Sequence, residues 1–448
     1  MRVRCFISAK TGAMKKAYIF LATVAAFHAQ AQPLYFPPVA GNTWDTISPQ
    51  SLNWCPEKID SLYGFLDSNN TKAFILLKDG RIVLEKYFGT HTQSTPWQWA
   101  SAGKTITSFM TGIAQQEHYL SIADTTSEYL GQGWTSCTPP QEEKITIRHQ
   151  LTMTSGLDDG VSDNHCTEDT CLVYKADAGT RWAYHNAPYT LLHDVVESAT
   201  GMTMNAYVTQ KLRNPTGMTG AFVPVDADKV FFSNARSMAR FGLLILNRGS
   251  WDGNRIMTDT AYYDQMVSTS QSLNESYGYL WWLNGKSSYM IPQLRTVFNG
   301  YLAPHAPADM IAAMGKGGQF LNVIPGRNMV WVRMGETPDD VPVPFLLNDE
   351  IWQRINDLEC SPIGVDKPLQ RSGTVQLFPN PASDVLHIKS GQLISGIEIF
   401  NAQGQCVQRL HAYDRELTVP LSGLPGGVFF IKAALPDGGV WTGRLVKD

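Results

Sequence analysis

The sequence predicts an α+β fold: an antiparallel sheet flanked by helices, with a helical region inserted, followed by a small β-sandwich. Three observations predict it. Strand signals cluster at two distant places, "KAFILLKDGRIVLEKYF" (residues 72–88) and "QFLNVIPGRNMVWVRMG" (residues 319–335), each a pair of β-rich runs broken by a turn. Most of the chain between Thr105 and Arg248 carries helical spacing instead. Beyond residue 360 the texture changes to short alternating runs separated by turn residues.

Taken in order, residues 1–31 read as a secretory leader. Lys15 and Lys16 precede an apolar run from Ala17 to Phe27, which ends at Ala29-Gln30-Ala31. That run is too short for a comfortable membrane span, and no later segment is apolar for long enough. The mature protein is therefore expected to be soluble outside the inner membrane, reached through the periplasm. Next, Ile59, Leu62, Tyr63 and Leu66 recur at helical spacing after Pro56. The 72–88 hairpin turns on Asp79-Gly80, a pair suited to a type I′ turn. In "SNARSMARFGLLILNRG", Met238, Phe241, Leu244 and Ile245 form a helical stripe that Gly249 closes. "YGYLWWLNG" (277–285) signals a strand, the 319–335 stretch a hairpin around Pro325-Gly326, and "VPFLLNDEIWQRINDLEC" a final helix. Residues 32–360 thus form one predicted domain, 361–372 a linker, and 373–448 the β-sandwich.

Composition narrows the function classes. The chain of 448 residues is 43% hydrophobic and 17% charged, with a formal net charge of −4 and no run of Lys or Arg. Nucleic acid and a polybasic membrane contact are both disfavoured as partners. Without the leader six cysteines remain, at 55, 137, 166, 171, 360 and 406. In an exported protein an even number suggests disulfides. Cys166 and Cys171 are close enough to staple a loop. If the first and last helices pack antiparallel, Cys55 and Cys360 become neighbours too. No histidine cluster accompanies them, so a metal site is not expected.

The chemistry begins at "WASAGKTITSFMTG" (99–112), where Ser101 stands three residues before Lys104. A serine hydroxyl is a weak nucleophile and needs a base. Positions three apart share a helix face, and a desolvated lysine amine loses basicity until it can accept the proton. The plainer alternative is an N-capping serine beside a solvated lysine. Downstream come Tyr184-His185-Asn186 before an amphipathic helix, and Lys316-Gly317-Gly318 on the leading strand of the late hairpin. Each again has a plain reading: a core tyrosine, a helix-capping asparagine, an exposed turn lysine.

Taken together, Ser-x-x-Lys, Tyr-x-Asn and Lys-x-Gly, with "ITIRHQLTMTSGL", "ARFGLLILNRGSWDG" and "YGYLWWLNG", resemble a known family over about residues 35–358. It is the serine hydrolase family of class C β-lactamases, penicillin-recognising esterases and D-aminopeptidases, and 6-aminohexanoate-oligomer hydrolases. The resemblance implies a β-lactamase/transpeptidase-like fold and hydrolysis of an ester or amide through an acyl-serine, without a metal or organic cofactor. Ser101 is then the nucleophile, and Lys104 and Tyr184 share the base work. Asn186 would bond Lys104 or a substrate amide. Lys316 would add positive charge near Tyr184, the backbone N–H groups of Ser101 and Gln319 would hold the oxyanion, and Gly317 and Gly318 would let the strand approach substrate. Gly317 stands where β-lactamases usually carry threonine, which favours an esterase, amidase or peptidase. Ser162-Asp163-Asn164 repeats a class A β-lactamase motif, but its polar surroundings mark it as loop. Trp99, Trp182, Trp281 and Trp282 would wall an acyl pocket or simply pack the core. The competing readings are a penicillin-binding-type receptor with little turnover and an adhesion protein with a degenerate site.

The tail also carries a resemblance. "FPNPASDVLHI", "IEIFNAQGQCVQRL", "LSGLPGGVFFIKA" and the ending "GRLVKD" look like a type IX secretion C-terminal sorting domain. It implies the type IX machinery as partner during export and a secreted or outer-surface location. The alternative is an accessory binding module.

Overall fold

The computed structural model describes residues 34–337, 342–360, 375–401, 405–435 and 440–448. The predicted leader and linker lie outside the described residues. Contacts divide the chain into two compact units, residues 1–360 and 361–448.

In the first unit, α1 (Pro56–Ser68) buries Ile59, Leu62 and Leu66, the stripe its spacing predicts. The chain then enters β1 (Thr71–Lys78) and β2 (Arg81–Tyr87), joined at Asp79 and Gly80, both at positive φ (50° and 80°). Four further strands complete an antiparallel sheet: β3 (Trp282–Leu283), β4 (Ile311–Gly315), β5 (Gln319–Ile324) and β6 (Met329–Gly335). The order β2-β1-β6-β5-β4-β3 sets β1 beside β6, so the two ends of the unit meet in mid-sheet. Of the aromatic run at 277–285 only Trp282 and Leu283 pair with the sheet. Leu280, at φ 61°, breaks the extended backbone just before them.

One helical layer comes from α2 (Lys104–Gln116) and from α5 (Ala235–Leu246), whose Gly242 lies against Val330 and Leu321 of the sheet. Between them run α3 (Asn186–Thr190) and α4 (Leu192–Thr200). The middle region is mostly helical as expected but also holds two strands that were not read: Ala221–Val225 and Asp228–Ser233 pair, and Trp97–Gln98, just before the region, adds a third. Their alternation is short and interrupted by Pro224, which hid it. The last helix, α6 (Phe345–Asn356), packs with α1, and Cys55 and Cys360 are disulfide-bonded, as antiparallel packing of these helices predicted.

The second unit is all β: β7 (Val375–Phe378), β8 (Val385–Phe400), β9 (Cys406–Pro420), β10 (Gly427–Ala434) and β11 (Val440–Lys447). Its core collects Leu386, Ile388, Ile397, Ile399, Val419 and Ile431, the alternating positions read from sequence. The strands form one antiparallel sheet in which β8 pairs with three partners, its register shifting between Lys389 and Ile394.

Candidate active site

Trp99 positions Ser101. It is fully buried, donates Nε1–H to Ser233 Oγ at 2.8 Å and packs edge-on against Phe231. Ala100 takes a left-handed φ of 44°, strained for a residue with a Cβ. A 3₁₀ turn (Ala100–Gly103) then runs directly into α2. On the far side Gly315 ends β4 against this turn. A Cβ there would stand 2.9 Å from Ser101 N and 2.6 Å from Trp99 O, so only glycine fits.

Lys104 is the first residue of α2. Its Nζ donates to Ser101 Oγ at 3.0 Å. The ammonium lies 4.3 Å from the centroid of the Tyr189 ring and 5.3 Å from that of Tyr184. Burial pulls its pKa down from 10.5 to about 8, with Asp228 opposing. Tyr184 faces Ser101 and is itself buried, and desolvation holds its phenol well above the usual tyrosine range; the Ser101 hydroxyl works the other way. The two groups expected to share one task are thus pushed apart. The amine is brought down to about 8, while the phenol stays protonated.

Behind Tyr184 stands an aromatic block. Trp282 stacks on it at 6.0 Å and 14°, with Trp182 and Tyr277 edge-on to one another. Trp99, Trp182, Trp281 and Trp282 are all buried core residues, and none lines the cavity at Ser101.

That cavity, about 300 Å³, is lined by Ser101, Tyr184, Asn186 and Lys316 together with Asn164, His165, Gln293 and Val343. The structure therefore brings all three motifs to one place. Lys316 is not on a strand as expected, however. It sits in the turn between β4 and β5, exposed, one residue beyond Gly315. Gly317 and Gly318, at φ 73° and 75°, make that turn, which Gly318 N closes on Gly315 O at 3.1 Å. Their missing side chains would point at Gln319 Nε2 and at Arg333, away from the cavity. The glycine that permits close approach to Ser101 is Gly315.

Two buried side chains hold the turn. Arg333 of β6 donates to Gly317 O (3.0 Å), Gly318 O (2.7 Å), Glu336 O (2.8 Å) and Thr71 Oγ1 (2.9 Å). These partners are uncharged, and burial lowers its pKa to about 9. Gln319 uses its side-chain amide to bridge Lys316 O (3.0 Å) and both polar groups of Gly335 (2.6 and 3.0 Å). Neither role is visible in sequence, since a buried arginine looks like any other.

Asn186, expected to bond Lys104 or a substrate amide, does not bond Lys104. Its Nδ2 donates to Asn164 Oδ1 at 3.2 Å and meets His165 Nε2 at 3.1 Å, rather than Lys104. The other His165 nitrogen is 2.7 Å from Asp228 Oδ2. Asn164 also accepts Ala187 N–H at 3.0 Å through its carbonyl, fixing the start of α3. The Ser162-Asp163-Asn164 stretch is loop, as read, but two of the residues beside the site come from this loop. The disulfide Cys166–Cys171 staples it; Cys137 and Cys406 are free thiols. The adjacent disulfide was the available clue to Asn164 and His165. Among the described residues no cluster suits a metal ion, and no helix is long and apolar enough to cross a membrane.

Comparison with known proteins sets this fold in a family related to serine hydrolases. Residues 71–353 match the beta-lactamase family and residues 376–447 a secretion system C-terminal sorting domain; the chain belongs to the beta-lactamase family. It is 25% identical over 307 residues to an uncharacterized protein of Alkalihalophilus pseudofirmus, covering 60% of this chain and 84% of that one. Its fold is similar to a Bacillus anthracis protein provisionally named 6-aminohexanoate-dimer hydrolase, with a TM-score of 0.53, 20% identity, and 73% and 91% of the two chains covered. It is also similar to a family VIII carboxylesterase, with a TM-score of 0.50, 13% identity, and 67% and 98% covered.

Proposed function

We propose that this chain is an exported serine acyl hydrolase that cleaves an ester or amide through an acyl-enzyme on Ser101. One observation carries the reading: a buried lysine amine whose pKa falls to about 8 lies 3.0 Å from a serine hydroxyl on the wall of a cavity. Such a pair supplies the activated nucleophile that acyl transfer needs.

In the proposed cycle neutral Lys104 takes the Ser101 proton as Oγ attacks the carbonyl. The oxyanion is held by Ser101 N–H and by the end of the β4–β5 turn, where Gln319 was assigned from sequence. Such a donor contributes about 3 kcal/mol. Tyr184, protonated at rest, hands its proton to the leaving group and is refilled from Lys104. Water then cleaves the acyl-serine by the reverse relay. Lys316, at the mouth, draws substrates with negative charge. The sorting tail fits delivery to the cell surface or beyond through the type IX machinery.

Labelling with a fluorophosphonate tests the nucleophile. The full chain is expected to label, and Ser101→Ala not to label. A folded wild type that never labels would refute the proposal. Labelling without turnover of p-nitrophenyl esters or peptide amides would instead favour a penicillin-binding-type receptor.

A further inference from the structure

The cavity at Ser101 does not end in a wall. Two segments continue past it: the hairpin between Ser288–Tyr289 and Phe298–Asn299, and the stretch leading into α6. Pro292, Gln293 and Val343 face Ser101, while their neighbours Ile291, Pro344 and Phe345 face a second hollow of about 450 Å³. Val343 lines both, so the two spaces share a border and both walls.

Their linings differ sharply. The second hollow is floored by Tyr289 and Phe298, stacked at 5.3 Å and 19°, and closed by Phe345, Leu346 and Leu347. Leu346 is 80% exposed, and Tyr289, Ile291, Phe298 and Phe345 of the same lining are each partly open to solvent. A cluster of open apolar groups beside a reactive centre marks a ligand site rather than packing. Past Asn164, His165 and Gln293 the cavity also adjoins a space of about 590 Å³ whose lining includes Asp158, Asp159, Lys175, Arg181 and Arg295. That space is polar and rich in charge, with Asp158 paired to Lys175 and Asp159 to Arg181. An apolar substituent on a carbonyl held at Ser101 has one favourable direction to lie.

We propose that the groove between the 288–299 hairpin and residues 343–347 receives the apolar arm, an alkyl chain or aryl group, of the ester or amide that Ser101 attacks. The inference rests on the acyl-hydrolase reading but is tested separately from it. In Ser101→Ala, which cannot turn over, calorimetry compares N-methyloctanamide with N-methylacetamide. A buried methylene is worth about fourfold in affinity, from ~0.8 kcal/mol each, so the longer amide is expected to bind at least about tenfold more tightly. Leu346→Lys, which removes no packing because the side chain is open to water, and Phe298→Ser should each cut that preference about fivefold or more. Equal affinity for the two amides, or a preference untouched by both substitutions, overturns the proposal. In the wild type, the ratio of kcat/KM for p-nitrophenyl octanoate over acetate should fall in the same two variants. If no ester is turned over at all, the hydrolase reading fails while the binding comparison still decides the groove.

Discussion

The two sides of the cavity are built in opposite ways. On one side Ser101, Lys104 and Tyr184 sit on a 3₁₀ turn, at a helix start and two residues before α3, against the aromatic block of Trp282 and Tyr277. On the other, Asn164, His165, Gln293 and Lys316 come from loops and a hairpin turn, and Lys316 is exposed. The first side is dry, and dryness does chemistry there: it lowers the lysine and raises the tyrosine. The second side is wet and must be held by networks, an arginine under one turn and a disulfide across one loop. Reactivity comes from burial, selectivity from scaffolded turns.

The contrast can be broken hardest on the dry side. Lys104→Met keeps the bulk and removes the base, and acylation followed by stopped-flow should slow by about a thousandfold or more. Gly315→Ala drives a methyl into the Ser101 and Trp99 backbone; turnover is expected to fall about a hundredfold, with a lower Tm. On the wet side the losses should be smaller. His165→Leu, which leaves Asn186 without one of its partners, should cost about tenfold in kcat/KM, the scale of an orienting contact, while Asp163→Ala stays within about twofold. Comparable losses from His165→Leu and Lys104→Met would erase the distinction.

The finest test concerns pH. Lys104 must be neutral to act, so kcat/KM should rise with pH through about 8 and level off above it. The Tyr189 ring, 4.3 Å away, favours the charged amine. Tyr189→Leu should therefore move the limb to lower pH, by up to about one unit for a cation–π contact of ~1 kcal/mol. Tyr189→Phe keeps the ring and should leave the limb in place. A limb that moves in both variants would assign the effect to the hydroxyl instead.

The dry side is also the side that could be read from the sequence. Ser101-x-x-Lys104 and Tyr184-x-Asn186 are local spacings on helix starts, and local spacing survives in a one-dimensional string. The same holds for α1 and for the Asp79-Gly80 turn. The wet side is non-local. His165 matters because Asp228, at the start of a short strand far along the chain, reaches it, and the turn at Lys316 depends on Arg333 from the next strand. The assignment of Lys316 to a strand failed for a related reason. The glycine pair after it looked like a means of close approach to substrate, whereas positive φ makes it the turn itself. Asn186 was expected to bond Lys104 or a substrate amide, because nothing in the string brings Asn164 to its side.

The bond between Cys55 and Cys360 has a consequence for maturation. Cys360 is the last residue of the first unit, so cleavage anywhere beyond it leaves a stub tethered to the residue just before α1. Exopeptidases trimming that new end would meet a covalent knot before reaching α6, and the sheet could not be peeled open from its freed terminus. Loss of the sorting domain would thus leave the sheet beside Ser101 clamped at both of its ends.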